Sequence, residues 1–111
     1  MEIRWTESSA VVTLALSGRL DALTSPQAEQ ALDRFLASPK SALVLDLGGL
    51  EYISSAGLRL LLLTGRKVAE KPGRLVLCCL QDAVKEVLEV SRLVSLFQVA
   101  ATAEEAAALL G

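Results

Sequence analysis

Length, composition and charge exclude several classes of protein. The chain has 111 residues, close to the usual size of one domain, so we expect a single domain over residues 1–111. The formal net charge is −2, without the excess of Lys and Arg typical of nucleic-acid-binding proteins, so we expect no nucleic-acid binding. No apolar run reaches the roughly 18 residues that a membrane span needs, so we expect no membrane insertion.

The N-terminal residues predict an antiparallel β-hairpin. Residues 2–6 and 10–17 alternate apolar and polar side chains, the pattern of strands that bury one face. Glu7-Ser8-Ser9 would form the connection between them. This segment has no continuous apolar stretch of signal-peptide length, so we expect a cytoplasmic protein.

The next segment predicts a helix. Thr24-Ser25-Pro26 supplies a cap and places proline at the first helical position. The helix should end before Ser38-Pro39. Between these limits, apolar side chains recur at helical spacing: Ala28, Ala31, Leu32, Phe35 and Leu36.

A strand–helix unit should follow. Residues 43–47 form a short β-rich run, and Gly48-Gly49 would permit a tight turn out of that strand. A helix is expected from Ser55 to about Lys71, where Pro72-Gly73 would end it.

The two cysteines lie next to each other in residues 74–80, an apolar run that predicts a buried strand. Because adjacent side chains on a strand point to opposite faces, a bond between Cys78 and Cys79 is unfavourable, and we expect both thiols to be reduced core residues. The chain has no histidine and no second pair of thiols, so we expect no metal site.

The C-terminal segments complete an α/β pattern. Gln81-Asp82 would open a third helix, residues 97–99 a short last strand, and Thr102-Ala103-Glu104-Glu105 has the spacing of a capping box before a final helix. The alternation predicts an α/β fold: a mixed sheet of about four to five strands, with the N-terminal antiparallel hairpin, parallel crossovers and about four helices.

Two serines, Ser54 and Ser55, lie where a predicted apolar strand gives way to an apolar helix. A helix N-terminus has unpaired N–H groups and a partial positive charge, which favour a phosphate attached there. Serine is also a preferred cap residue, so from local sequence alone capping is the alternative role.

Three segments carry a resemblance to a known family. They are residues 45–58, Gly18-Arg19-Leu20-Asp21, and residues 83–88 followed by Leu93 and Leu96-Phe97. Together they resemble the STAS domain family, whose best-known stand-alone members are bacterial anti-sigma factor antagonists. The resemblance covers nearly the whole chain and implies a STAS-like fold.

The resemblance also implies site residues and partners. In the family a serine at this place is phosphorylated by a partner kinase, and by position that serine is Ser55, with Ser54 as the competing acceptor. Ser54 stands where antagonists commonly have aspartate, and Ala56 where they often have serine or threonine. The implied partner-binding surface comprises Asp21, Ser54, Ser55, Ala56 and Gly57. The implied partners are an anti-sigma factor that is also a serine kinase, and a serine phosphatase.

Catalysis by the chain itself is not expected. It has no histidine to act as a base, no Gly-x-Ser-x-Gly motif and no glycine-rich phosphate loop with lysine, and it suggests no cofactor. Two other functions stay open. One is a non-switching STAS subunit of a lipid-transport ABC system, in which Ser55 would be only a cap. The other is a regulator that binds a small ligand at the same edge.

Overall fold

The computed structural model describes residues 1–71 and 73–110 and has the predicted α/β architecture. Five strands form one sheet in the order of the chain: β1 (Glu2–Ser8), β2 (Val11–Leu20), β3 (Ala42–Ile53), β4 (Arg74–Cys78) and β5 (Gln98–Ala100). The helices of the described residues are α1 (Ser25–Ala37), α2 (Ser55–Glu70), α3 (Asp82–Val90) and α4 (Ala103–Leu110), with a 3₁₀ turn at Val94–Leu96. β1 pairs with β2 antiparallel and the other neighbours are parallel, which confirms the predicted mixed sheet.

The helices divide between the two faces of the sheet. α1, α2 and α3 bury their apolar sides on the face that carries Leu14 of β2 and Leu45 of β3. α4 packs its buried Ala106 on the other face, against Val44 and Val76. This division follows from the two-residue period of a strand, since Val44 and Leu45 must point to opposite sides. In the described part of the chain, no helix combines the length and apolar character needed to cross a membrane.

The N-terminal hairpin turns later than predicted. Ser8 pairs with Val11, so the connection is Ser9-Ala10 and not Glu7-Ser8-Ser9. Ser9 adopts the left-handed φ of 54° that short hairpin turns require. Glu7 and Ser8 are exposed on an edge strand, where polar residues do not mark a loop.

The third strand is longer than predicted, because Gly48-Gly49 does not form a turn. β3 continues through both glycines to Ile53. Its pairing with β2 shifts register twice, between Ala15 and Ser17 and between Gly18 and Arg19, with one extra β3 residue each time. A Cβ at position 49 would overlap the Ser17 side chain, so glycine permits the close approach of the strands. The extension carries β3 past the end of β4 and beside the end of β2.

The helix limits agree well with the sequence. α1 begins after Thr24 and stops before Ser38, and α2 begins at Ser55 as expected. Pro72, the predicted break, lies outside the described residues. At α4, the Glu105 N–H donates to Thr102 Oγ1 at 3.1 Å, and Glu105 Oε2 accepts from the Ala101 N–H at 3.2 Å. The capping box is therefore present, with its second bond one residue earlier than in the standard form.

Candidate functional site

The two serines have different places at the start of α2. Ser54 is the N-cap: its extended backbone precedes the helix, and its Oγ accepts a hydrogen bond from the Gly57 N–H at 3.3 Å. Ser55 is the first helical residue and is exposed, and within the described residues its hydroxyl has no hydrogen-bond partner. Capping, the alternative role considered for Ser55, thus belongs to the partly buried Ser54.

The Asp21 loop and the serine loop are adjacent. Leu20 and Ile53 are paired as the last residues of β2 and β3. The next residues are Asp21 and Ser54, and the Ser54 N–H donates to the Leu20 carbonyl oxygen at 2.9 Å. The structure therefore brings together two of the sequence-predicted segments at one end of the sheet, through the extension of β3.

Asp21 organises its own loop. Its Oδ1 accepts from the backbone N–H groups of Leu23 at 3.0 Å and Thr24 at 3.1 Å, and its Oδ2 lies 3.8 Å from Arg19 Nε. The hydrogen bond from the Thr24 N–H is the main cause that holds the pKa of Asp21 below its usual value, with smaller contributions from Leu23 and Arg19 against the opposing effect of burial. The carboxylate is 26% exposed, so a partner could reach it only in part.

Gly57, which the resemblance places in the partner-binding surface, is a buried residue of α2. A Cβ at this position would come within 2.7 Å of Ile53 Cγ1 and 2.9 Å of the Leu20 carbonyl oxygen. Glycine lets the first turn of α2 pack directly on the ends of β2 and β3. This close packing holds the turn that carries Ser55.

Three exposed side chains near the loops were not singled out from the sequence. Leu23 is 90% exposed at the turn before α1. The Arg19 guanidinium stacks 4.1 Å from the centre of the Tyr52 ring, which is 40% exposed. Arg19 and Tyr52 lie within segments that carry the family resemblance, but no role was expected for either side chain, and Leu23 lies outside those segments.

A shallow groove of about 250 Å³ runs between the N-terminal halves of α1 and α2. Its lining includes Ala22, Pro26, Ala56, Arg59 and Leu63. It is apolar apart from a few charged side chains, with no cluster of bases or nucleophiles. The apolar part of this lining suits the binding of another surface.

We call this exposed to partly exposed region the serine edge and define it as Asp21, Leu23, Ser55, Ala56 and Arg59. The serine edge has the Ser55 hydroxyl at the positive end of the α2 dipole, one carboxylate, one guanidinium, and the apolar side chains of Leu23 and Ala56. Arg59 lies four residues after Ser55, so the two side chains share one side of α2.

Comparison with known proteins agrees with this architecture. The STAS domain family model matches residues 2–106. A candidate anti-sigma factor antagonist of Bordetella bronchiseptica, BtrV, is 38% identical over 108 residues, which are 97% of this chain and 93% of BtrV. The anti-sigma-F factor antagonist RsfB of Mycobacterium tuberculosis is 31% identical over 64 residues, which are 58% of this chain and 52% of RsfB. The crystal structure of an anti-sigma factor antagonist from Mycobacterium paratuberculosis superimposes with a TM-score of 0.90 at 26% identity, covering 98% of this chain and 92% of that one.

Proposed function

Because the chain belongs to the STAS domain family, we propose that it is an anti-sigma factor antagonist whose binding is switched off by phosphorylation of Ser55. The names of the relatives support the antagonist function. The observation that carries the switch is the position of Ser55: an exposed hydroxyl at the first residue of α2, with capping left to Ser54.

Ser55 is the better phosphoacceptor of the two serines. A kinase must reach the hydroxyl oxygen, and Ser55 is exposed whereas Ser54 is partly buried. Modification of Ser54 would also disturb the bond from the Gly57 N–H that caps α2. The expected product is therefore phosphorylated at Ser55, with the γ-phosphoryl group of ATP moving to Oγ and the hydroxyl proton leaving to solvent or a kinase base.

The phosphate would change the surface more than the fold. It adds about −1.5 to −2 charges and three acceptor oxygens at the middle of the serine edge. The α2 dipole favours a negative charge at this end by about 0.3–1 kcal/mol, and Arg59 one turn later can pair with it. Inside an interface that fits a neutral hydroxyl, the same charge loses its water, and the adjacent Asp21 loop already carries one negative charge. We therefore expect the domain to stay folded and the complex to dissociate.

The partner in this scheme is an anti-sigma factor that is also the serine kinase, and a serine phosphatase resets the switch. The chain acts as binding module and phosphorylation substrate. Leu23 and the apolar part of the groove supply the contact area, and Asp21 holds the loop that presents Leu23.

A pull-down from the native cell with wild-type, Ser55→Ala and Ser55→Asp baits tests the proposal. The first two baits should retain the anti-sigma factor, and Ser55→Asp should lose it although it folds. Ser54→Ala is the matched control: it removes the neighbouring hydroxyl and should still be phosphorylated by the recovered kinase, as phosphopeptide mass spectrometry would show.

Two results would contradict the switch. One is phosphate found only at Ser54, and the other is equal binding by the Ser55→Asp protein. Co-purification with a transporter ATPase, with no phosphate at either serine, would instead favour the non-switching transport subunit.

A further inference from the structure

A second chemically distinctive cluster lies away from the serine edge. The ligand atoms of Asp46, Cys78 and Cys79 all lie within 4.8 Å of one another. Asp46 on β3 is paired with Cys78 on β4, and their side chains lie on the sheet face covered by α4. Cys78 is fully buried, whereas Asp46 and Cys79 are partly exposed, so the cluster has a closed side and an open side.

The backbone of Cys79 creates this cluster. Adjacent residues of a strand point to opposite faces, as the sequence-based argument assumed, but β4 ends at Cys78. Cys79 has the left-handed φ of 63°. This backbone conformation directs its side chain toward that of Cys78, and the two Sγ atoms lie 3.5 Å apart. The assumption that the two thiols diverge was therefore wrong, although both cysteines are free.

This conformation is not an ordinary turn or helix end. In the described residues, the other non-glycine positions with positive φ are Ser9, in the hairpin turn, and Arg92, just after α3. Both places commonly use left-handed backbone. Cys79 follows a strand, where left-handed backbone at a residue with a β-carbon is strained and often accompanies a functional site.

We infer that Asp46, Cys78 and Cys79 bind one Zn²⁺ ion. Two thiolates on tetrahedral zinc, each at about 2.3 Å, lie about 3.8 Å apart, close to the 3.5 Å between the two Sγ atoms. Two soft sulfur ligands exclude Mg²⁺ and Ca²⁺ as the preferred ion, and the carboxylate oxygen suits Zn²⁺ better than Cu⁺. This inference replaces the sequence-based expectation of no metal site, which rested on the missing histidine and second thiol pair.

The surroundings orient the ligands as the outer shell of a metal site does. The Gly48 N–H donates to Asp46 Oδ1 at 2.9 Å and leaves the other carboxylate oxygen for the metal. Gly48 is held in turn by the Gln81 side chain, which donates to its carbonyl oxygen at 2.7 Å. On binding, the two thiol protons leave to solvent, and water occupies the fourth position on the open side.

Titration of the reduced full-length chain with Co²⁺ tests the site. One equivalent should produce a thiolate-to-cobalt charge-transfer band and tetrahedral d–d bands, and one equivalent of Zn²⁺ should remove them. Cys79→Ser and Asp46→Asn should each weaken metal binding at least about tenfold, since loss of even an outer-shell partner costs about 10–100-fold. Asp46→Asn keeps the acceptor for the Gly48 N–H, so it separates ligation from folding.

Asp33→Asn is the matched control, because Asp33 is an exposed carboxylate of α1, which packs on the sheet face opposite Cys78. It should bind Co²⁺ as the wild type does. Absence of the charge-transfer band in the wild type would overturn the inference, and so would wild-type affinity in Cys79→Ser. Loss of binding in Cys79→Ser with full retention in Asp46→Asn would overturn the three-ligand assignment. None of these outcomes depends on phosphorylation of Ser55.

Discussion

Separate substitution of the two serines tests the division of roles at the start of α2. Ser54→Ala removes the oxygen that accepts from the Gly57 N–H, whereas Ser55→Ala removes an exposed hydroxyl. Loss of a serine cap costs about 0.5–2 kcal/mol. The observed Oγ–N distance of 3.3 Å is long for a hydrogen bond. We therefore expect Ser54→Ala to lower the free energy of unfolding by about 0.5–1 kcal/mol.

The same reasoning predicts the change in Tm and the behaviour of two control variants. For a chain of this length, about 1 kcal/mol corresponds to about 4 °C in Tm, so Ser54→Ala should unfold about 2–4 °C lower. Ser55→Ala should stay within about 0.5 kcal/mol of the wild type. Ser54→Asp supplies another good cap oxygen and should recover the wild-type stability.

Urea unfolding followed by circular dichroism, with a common slope for all four proteins, would measure these differences. The reasoning fails if Ser55→Ala is as destabilising as Ser54→Ala, because Ser55 would then be the structural serine. It also fails if Ser54→Asp stays as unstable as Ser54→Ala.

Three further predictions concern substitutions at the same end of the molecule. Gly57→Ala should lower the free energy of unfolding by about 1–3 kcal/mol despite the better helix propensity of alanine, because the new Cβ would lie 2.9 Å from the Leu20 carbonyl oxygen; unchanged urea stability would show that the helix can shift. Because the pKa of Asp21 is lowered in the folded protein, its charge stabilises above the ordinary aspartate pKa of about 3.9 and ceases to do so as the pH falls through the folded value. Wild type should therefore exceed Asp21→Asn in Tm near pH 7 and match it in strong acid, and a constant difference would reject the charge as its source. Leu23→Ala should keep the Tm, since the side chain is 90% exposed, and weaken binding of the anti-sigma factor in a pull-down; unchanged binding would remove Leu23 from the interface.

The helices were well predicted because their limits depend on local chemistry. Pro26 marks the start of α1 and Ser38 its end. α2 begins at Ser55, where the two serines are followed by an apolar run. The capping box before α4 was also found, since Thr102 and Glu105 are close in sequence. These features depend on residues within one or two turns of each other, so the sequence contains the interacting partners side by side.

The mixed parallel and antiparallel sheet was predicted correctly, but the lengths of β1 and β3 were not. Gly48-Gly49 resembles a turn in isolation, yet β2 supplies a partner whose hydrogen bonds and register carry β3 on to Ile53. The polar end of β1 was mistaken for a loop for a similar reason, because an exposed edge strand needs no apolar residues there. For β3, pairing with a segment far away in the chain outweighed the local preference of the two glycines.

The sequence alone determined the element order, the apolar faces and the presence of two serines at a helix start. Tertiary structure decided which serine caps α2 and which is exposed. It also decided which backbone groups the Asp21 carboxylate binds, and that Asp46 lies beside two thiols. Each of these depends on contacts between strands far apart in the chain, or on one backbone angle such as φ at Cys79. Local patterns encode propensity, whereas the direction of a side chain at a strand end is set by the packing of the elements around it.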